Sequence, residues 1–129
     1  MMQVKEVAQR LHLNPQTLYF YERIGMIPPP HRTPSGYRLY TEADVERLEF
    51  IMRLKCLGFT LEEIKDVLTL KEQKSLTCRV AYQRIQAKIT QIKAQIAALQ
   101  ALCSDLMPIL EQCANNLDRV EACVVFEQK

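Results

Sequence analysis

The longest regular pattern in the chain is a stripe of core-type residues at alternating spacings of four and three: Cys78, Tyr82, Ile85, Ile89, Ile92, Ile96, Leu99, Cys103, Leu106, Leu110 and Cys113. This is the a/d pattern of a heptad repeat, which keeps one narrow seam of a long helix turned toward a partner helix. The stripe begins and ends in cysteine, five heptads apart. At about 1.5 Å per residue that interval spans roughly 52 Å, so the two thiols of one straight helix cannot meet. An antiparallel dimer sets Cys78 of one chain opposite Cys113 of the other, whereas a parallel dimer pairs like with like. The stripe alone admits both.

The first half of the chain carries shorter periods. Val4, Val7, Ala8 and Leu11 fall on one face of a short helix. After His12-Leu13, Asn14 suits an N-cap and Pro15 the first helical position, predicting a second helix from about Gln16 to Ile24 with Leu18, Tyr21 and Ile24 facing the first. Gly25 closes it, and Pro28-Pro29-Pro30 forbids its continuation. Two short helices joined by a tight turn are a helix-turn-helix candidate. The segment His31 to Tyr40 then alternates basic and aromatic residues on a short extended stretch. Such a hairpin can lay Arg32, Arg38 and the tyrosine hydroxyls against phosphates beside a helix in the major groove.

Thr41 caps a third helix, with Asp44 in its first turn and Val45, Leu48, Ile51, Met52 and Leu54 on its apolar face, and Gly58 ends it. Thr60 and Glu63 have capping-box spacing before a fourth helix that buries Leu61, Ile64, Val67 and Leu68. Cys56 falls among these apolar positions and is expected in the core. The polar run 71–75 reads as a linker. Pro108 is expected to break or kink the long helix one turn before Cys113, freeing the tail to fold back.

At 129 residues the chain is enough for a small globular head with a helical extension, and further burial must come from association. With 48% hydrophobic and 25% charged residues it is neither disordered nor a membrane protein. No apolar run approaches the ~20 residues of a membrane span. The opening Met1-Met2-Gln3-Val4-Lys5-Glu6 lacks the apolar core of a signal peptide, so a cytoplasmic protein is expected. The net charge of +2 divides evenly between residues 1–75 and 76–129, so nucleic-acid binding must rest on local arginines rather than bulk charge. Five cysteines in a cytosolic chain read as metal ligands, redox thiols or core residues rather than a disulfide framework. There is no Cys-x-x-Cys, and neither His12 nor His31 lies near a cysteine in sequence, so a thiol enzyme is not expected.

The segments Val4-Lys5-Glu6-Val7-Ala8, Pro15-Gln16-Thr17-Leu18-Tyr19-Phe20-Tyr21-Glu22-Arg23, Gly25-Met26-Ile27, Arg32-Thr33-Pro34-Ser35-Gly36-Tyr37-Arg38-Leu39-Tyr40 and Leu57-Gly58-Phe59-Thr60-Leu61-Glu62-Glu63-Ile64 stand in order before the heptad helix. Over essentially its whole length the chain thereby resembles the MerR family of bacterial transcription regulators. The resemblance implies a mainly α fold, a winged helix-turn-helix head followed by a long dimerisation helix in an antiparallel coiled coil. The domains would be a DNA-binding head at 1–70, a linker at 71–75, the dimerisation helix at 76–112 and a metal-binding loop and tail at 113–129.

Carried over by position, Gln16, Thr17, Tyr19, Phe20 and Arg23 belong to the helix at the major groove, and Arg32, Tyr37 and Arg38 to the wing's phosphate contacts. The family usually has arginine where this chain has Tyr19, so a phosphate or guanine contact does not carry over there. Family members bind, as homodimers, a promoter whose two recognition elements are too far apart. They repress it, and undertwist or kink the spacer when an inducer binds, letting RNA polymerase engage both elements.

For the inducer, the tail from Cys113 to Lys129 is all that follows the coil in this sequence, so the added domain by which many relatives recognise organic compounds is not expected. The iron–sulfur branch uses four closely spaced cysteines, against Cys113 and Cys123 here. Divalent-ion sensors of the thiolate branch have a cysteine at the start of the dimerisation helix and two more flanking a C-terminal loop, a pattern that Cys78, Cys113 and Cys123 fit. Copper, silver and gold sensors usually lack the first. The resemblance thus implies a divalent thiophilic ion (mercury, zinc, cadmium or lead), bound by Cys78 of one subunit and Cys113 and Cys123 of the other. Mercury and lead accept three sulfurs, whereas zinc usually takes a fourth ligand, for which Asp118 is the candidate oxygen donor in the loop. Cys103, in mid-coil, reads as a packing residue. The competing reading is a DNA-binding repressor or architectural protein whose cysteines are structural.

Overall fold

The computed structural model describes residues 1–127, and the chain divides into two compact units after Cys78. In the first, β1 (Met2–Gln3) leads directly into α1 (Val4–Leu11), which is followed by α2 (Pro15–Arg23), β2 (His31–Arg32), β3 (Arg38–Tyr40), α3 (Glu42–Cys56) and α4 (Leu61–Glu72). The three strands form an antiparallel sheet in the order β1-β3-β2, with Met2 opposite Tyr40 and Arg32 opposite Arg38. β2 and β3 are the wing. Its tip turns where the Gly36 N–H donates to the Thr33 carbonyl at 2.8 Å, with Gly36 at φ 89°. A side chain there would meet the left-handed penalty that glycine escapes.

The capping residues act as their spacing indicates. Asn14 Oδ1 accepts from the Gln16 N–H at 2.9 Å at the start of α2. Thr41 with Asp44, and Thr60 with Glu63, form reciprocal capping boxes that satisfy orphan donors at the starts of α3 and α4. Val7, Leu18, Tyr40, Val45, Leu48, Ile51 and Ile64 are fully buried in one core that joins helices to sheet, and Met26 and Ile27, just past Gly25, are buried with them. This core fixes α2 and the wing relative to each other.

Cys56 is not in that core: it is exposed, the last residue of α3. The chain turns directly after it, and Phe59 enters the core beyond the turn, its N–H donating to the Leu54 carbonyl at 3.1 Å. α2 begins at Pro15 and ends at Arg23, one residue earlier at each end than the sequence pattern suggests, and α4 continues through Lys71 to Glu72.

In the second part of the chain α5 (Cys78–Ala114) is one helix of 37 residues, followed by the short α6 (Val124–Glu127). Pro108 lies inside α5 and does not end it. A proline removes one N–H from the ladder, and on an exposed helix such as this the freed Ser104 carbonyl can turn to water while the neighbouring turns continue. The heptad stripe stands exposed on the single chain, from Tyr82 and Ile85 through Ile96 and Leu99 to Leu110.

Candidate functional site

Two groups of side chains carry the chemistry that the sequence points to. The first lies on the head, where α1, the start of α2 and the wing border a groove of about 740 Å³ whose lining includes Lys5, Gln9, His12, Tyr19, Tyr37 and Arg38. Gln16 and Arg23 are exposed on α2, and Thr17, Tyr19 and Phe20 are half-buried. Arg23 lies over the Phe20 ring at 5.7 Å, and Phe20 packs against Tyr21 with ring centroids 5.9 Å apart. On the wing, Tyr37 is exposed and Arg32 donates from Nη1 to the Gly36 carbonyl at 2.9 Å, bracing the hairpin tip.

Arg38 is held on two sides. Its Nε donates to Glu22 Oε1 at 2.8 Å, and its guanidinium lies over the Tyr19 ring, 4.4 Å from the centroid. The hydrogen bond it donates to Glu22 raises the guanidinium's pKa further, so Arg38 stays charged. Sequence reasoning missed Glu22. It stands three residues after Tyr19, one turn along the same helical face, so i,i+3 spacing could have placed the two together once the wing was known to cross that face.

The second group lies in the loop between α5 and α6. The Sγ atoms of Cys113 and Cys123 are 3.8 Å apart, much longer than a disulfide, so the two are not bonded to each other. Burial, then the hydrogen bond and charge of Cys123, push the Cys113 thiol above its ordinary pKa. The two sulfurs border a cleft of about 210 Å³ with Asn116, Arg119 and Glu121. Arg119 ties this loop: its Nε donates to Glu121 Oε2 at 3.0 Å and its Nη1 to Asn116 Oδ1 at 3.4 Å, while Asn116 Nδ2 donates back to the Gln112 carbonyl at 2.8 Å. None of these three was singled out from the sequence. Asp118 is exposed and is not among the residues lining the cleft. Cys78, exposed, is the first residue of α5, so the helix itself separates it from Cys113 by roughly 52 Å. Among the described residues no three His, Cys, Asp or Glu side chains of one chain come together as a metal site.

The pair nevertheless fits a thiophilic ion. Two thiolates on a tetrahedral ion, each at a bond length of about 2.3 Å, stand about 3.8 Å apart; on a linear ion they would stand about 4.6 Å apart. The observed 3.8 Å separation is an S–H···S contact that lies within reach of the bent arrangement.

Comparison with known proteins decides the family. A profile described as "MerR HTH family regulatory protein" matches residues 2–71, and one described as "MerR, DNA binding" matches residues 45–109. The chain belongs to the MerR family. It is 49% identical to an uncharacterized HTH-type transcriptional regulator of Synechocystis, over 99% of this chain and 96% of that one. It is 39% identical to the mercuric resistance operon regulatory protein of Bacillus cereus, over 96% and 93% of the two chains. Among solved structures, the transcription regulator PbrR691 of Ralstonia metallidurans in complex with lead(II) superposes with a TM-score of 0.82 at 31% identity, covering 98% of both chains. Residues 2–71, with α2 and the wing, thus have the helix-turn-helix fold of MerR family transcription regulators, a family of regulators rather than enzymes. Among the described residues of this MerR family member, no helix is long and apolar enough to cross a membrane.

Proposed function

We propose that the chain is a metal-responsive member of the MerR family. It acts in the cytoplasm as a homodimer on promoter DNA, and activates transcription when a divalent thiophilic ion (mercury, zinc, cadmium or lead) binds its C-terminal loop. The observation that carries the reading is the pair Cys113 and Cys123, two thiols held 3.8 Å apart at one cleft. Two thiolates leave a three-coordinate ion one ligand short, and Cys78 of the partner subunit supplies it when the helices run antiparallel, because the five-heptad interval sets that residue opposite Cys113. The soft donors favour thiophilic ions and must lose their protons to bind. Likeness to the mercuric resistance regulator and to the lead(II)-bound regulator supports the same class of ion. Asp118 remains the proposed oxygen donor for an ion that takes a fourth ligand.

The reading divides the chain into a DNA-binding head that ends with α4, a linker between Glu72 and Cys78, the dimerisation helix α5, and the metal loop and tail that follow it. Gln16, Thr17, Tyr19, Phe20 and Arg23 belong to the helix at the major groove, and Arg32, Tyr37 and Arg38 take phosphates. Metal binding shifts the dimer toward the state that distorts the spacer DNA and lets RNA polymerase engage both promoter elements. The test is run-off transcription from the protein's own promoter with zinc, cadmium, lead, mercury and copper(I), using the wild type and the Cys78→Ser, Cys113→Ser and Cys123→Ser variants. Induction by a divalent ion that each variant abolishes is expected. Induction that survives all three substitutions would leave a regulator with structural cysteines, and induction by copper(I) alone would refute the role given to Cys78.

A further inference from the structure

The contact between Tyr19 and Arg38 assigns Tyr19 a different task from reading a base. We infer that Tyr19 is a positioning residue: its ring holds the Arg38 guanidinium, with Glu22, in the place from which the wing grips a DNA phosphate. The inference rests on the head's DNA binding and refines how one of its residues takes part.

The geometry carries it in three steps. First, Tyr19 and Glu22 lie one turn apart on α2, and both meet the single arginine that β3 brings across that face. Glu22 takes the edge of the guanidinium at Nε, 2.8 Å away, and Tyr19 takes its face at 4.4 Å. A planar cation fixed at one edge and one face has lost most of its rotamer freedom on folding, so that loss does not fall on DNA binding. Second, the bond to Glu22 uses Nε, which leaves the two terminal nitrogens to donate to a phosphate. Third, the contact is partly shielded: the Arg38 and Glu22 side chains are 26% and 19% exposed. A cation–π contact is stronger there than on an open surface. Because one face of the Tyr19 ring is covered by Arg38, that face is not free to meet a base edge.

A role through Arg38 and a direct role in base reading predict different readouts. A phosphate contact strengthens binding to all sequences and contributes about one unit to the slope of log affinity against log salt, whereas a base contact changes preference at one position. The experiment uses the full chain with Tyr19→Leu, Tyr19→Phe, Arg38→Ala and the Tyr19→Leu/Arg38→Ala double variant. Binding is measured to a mixed-sequence duplex across a salt series, and base preference by selection from a randomised duplex pool. Wild-type binding to the duplex is the control for the head's function, and melting curves establish that each variant is folded.

Tyr19→Leu is expected to weaken binding roughly 3- to 30-fold. It should flatten the salt slope as Arg38→Ala does, leave the selected sequence unchanged and add nothing in the Arg38→Ala background. Tyr19→Phe, which keeps the ring, is expected to bind within about 2-fold of wild type. A changed base preference with an intact salt slope, additive losses in the double variant, or a Tyr19→Phe loss as large as that of Tyr19→Leu would each overturn the inference.

Discussion

At the scale of single residues, Tyr40 is fully buried, and its hydroxyl is a buried polar atom without a hydrogen-bond partner among the described residues. Removing an oxygen that gave up water and gained no partner costs nothing in hydrogen bonding. Tyr40→Phe is therefore expected to leave urea stability unchanged or raise it by about 1 kcal/mol, whereas a variant losing more than that would mean the hydroxyl has a partner in solution. Burial also raises the pKa of Tyr40 and of Tyr21. The unfolded chain then loses these protons first, so stability is full below about pH 10 and falls as pH rises through the raised values. Tyr40→Phe should lessen that alkaline loss. The sequence marks Tyr40 as an aromatic on a short extended segment; its place in the core among residues of several helices, opposite Met2 in the sheet, is announced by no local pattern.

At the scale of elements, the helix starts were the most legible features. Asn14, Thr41 and Thr60 cap α2, α3 and α4, because a cap is a local bond between residues two or three apart. Thr41→Ala and Thr60→Ala are each expected to cost about 1 kcal/mol, within a range of roughly 0.5–2, in urea denaturation of the full chain. Elements set by distant partners were not legible. β1 is two residues that become a strand through pairing with β3. Cys56 has the chemistry of a core residue but lies where α3 ends and Phe59 takes the core position. Pro108 carries the local signature of a break, yet α5 runs through it to Ala114.

At the scale of the whole molecule, α5 shows on the single chain a stripe in which Ile85 is 52%, Ile96 50% and Leu99 62% exposed. A contiguous apolar seam at heptad spacing is stable in water when a second helix covers it, and the proposed homodimer supplies one. Placing a charge in its middle, Ile92→Asp, should leave the head folded and yield a monomer in sedimentation velocity. Promoter affinity should fall with it, because two half-sites are then bound by separate chains. A variant that sediments as a dimer would show that the seam is not the interface.

By itself the sequence determined what rests on local bonds and on period: the capped helices, the wing turn, the heptad seam with its cysteines, and the series of motifs that marks the family. These depend on residues within a few positions of one another, or on a repeat that needs no partner to be read. Tertiary structure alone decided which distant groups meet. The strands and core bring Arg38 across α2 onto Tyr19 and Glu22. In the loop after Ala114, where the resemblance already implied that Cys113 and Cys123 meet, the fold decided which groups tie the turn: Arg119 to Asn116 and Glu121, and Asn116 to the Gln112 carbonyl. Such pairings are set by how the chain returns on itself, and spacing along the sequence does not encode that return.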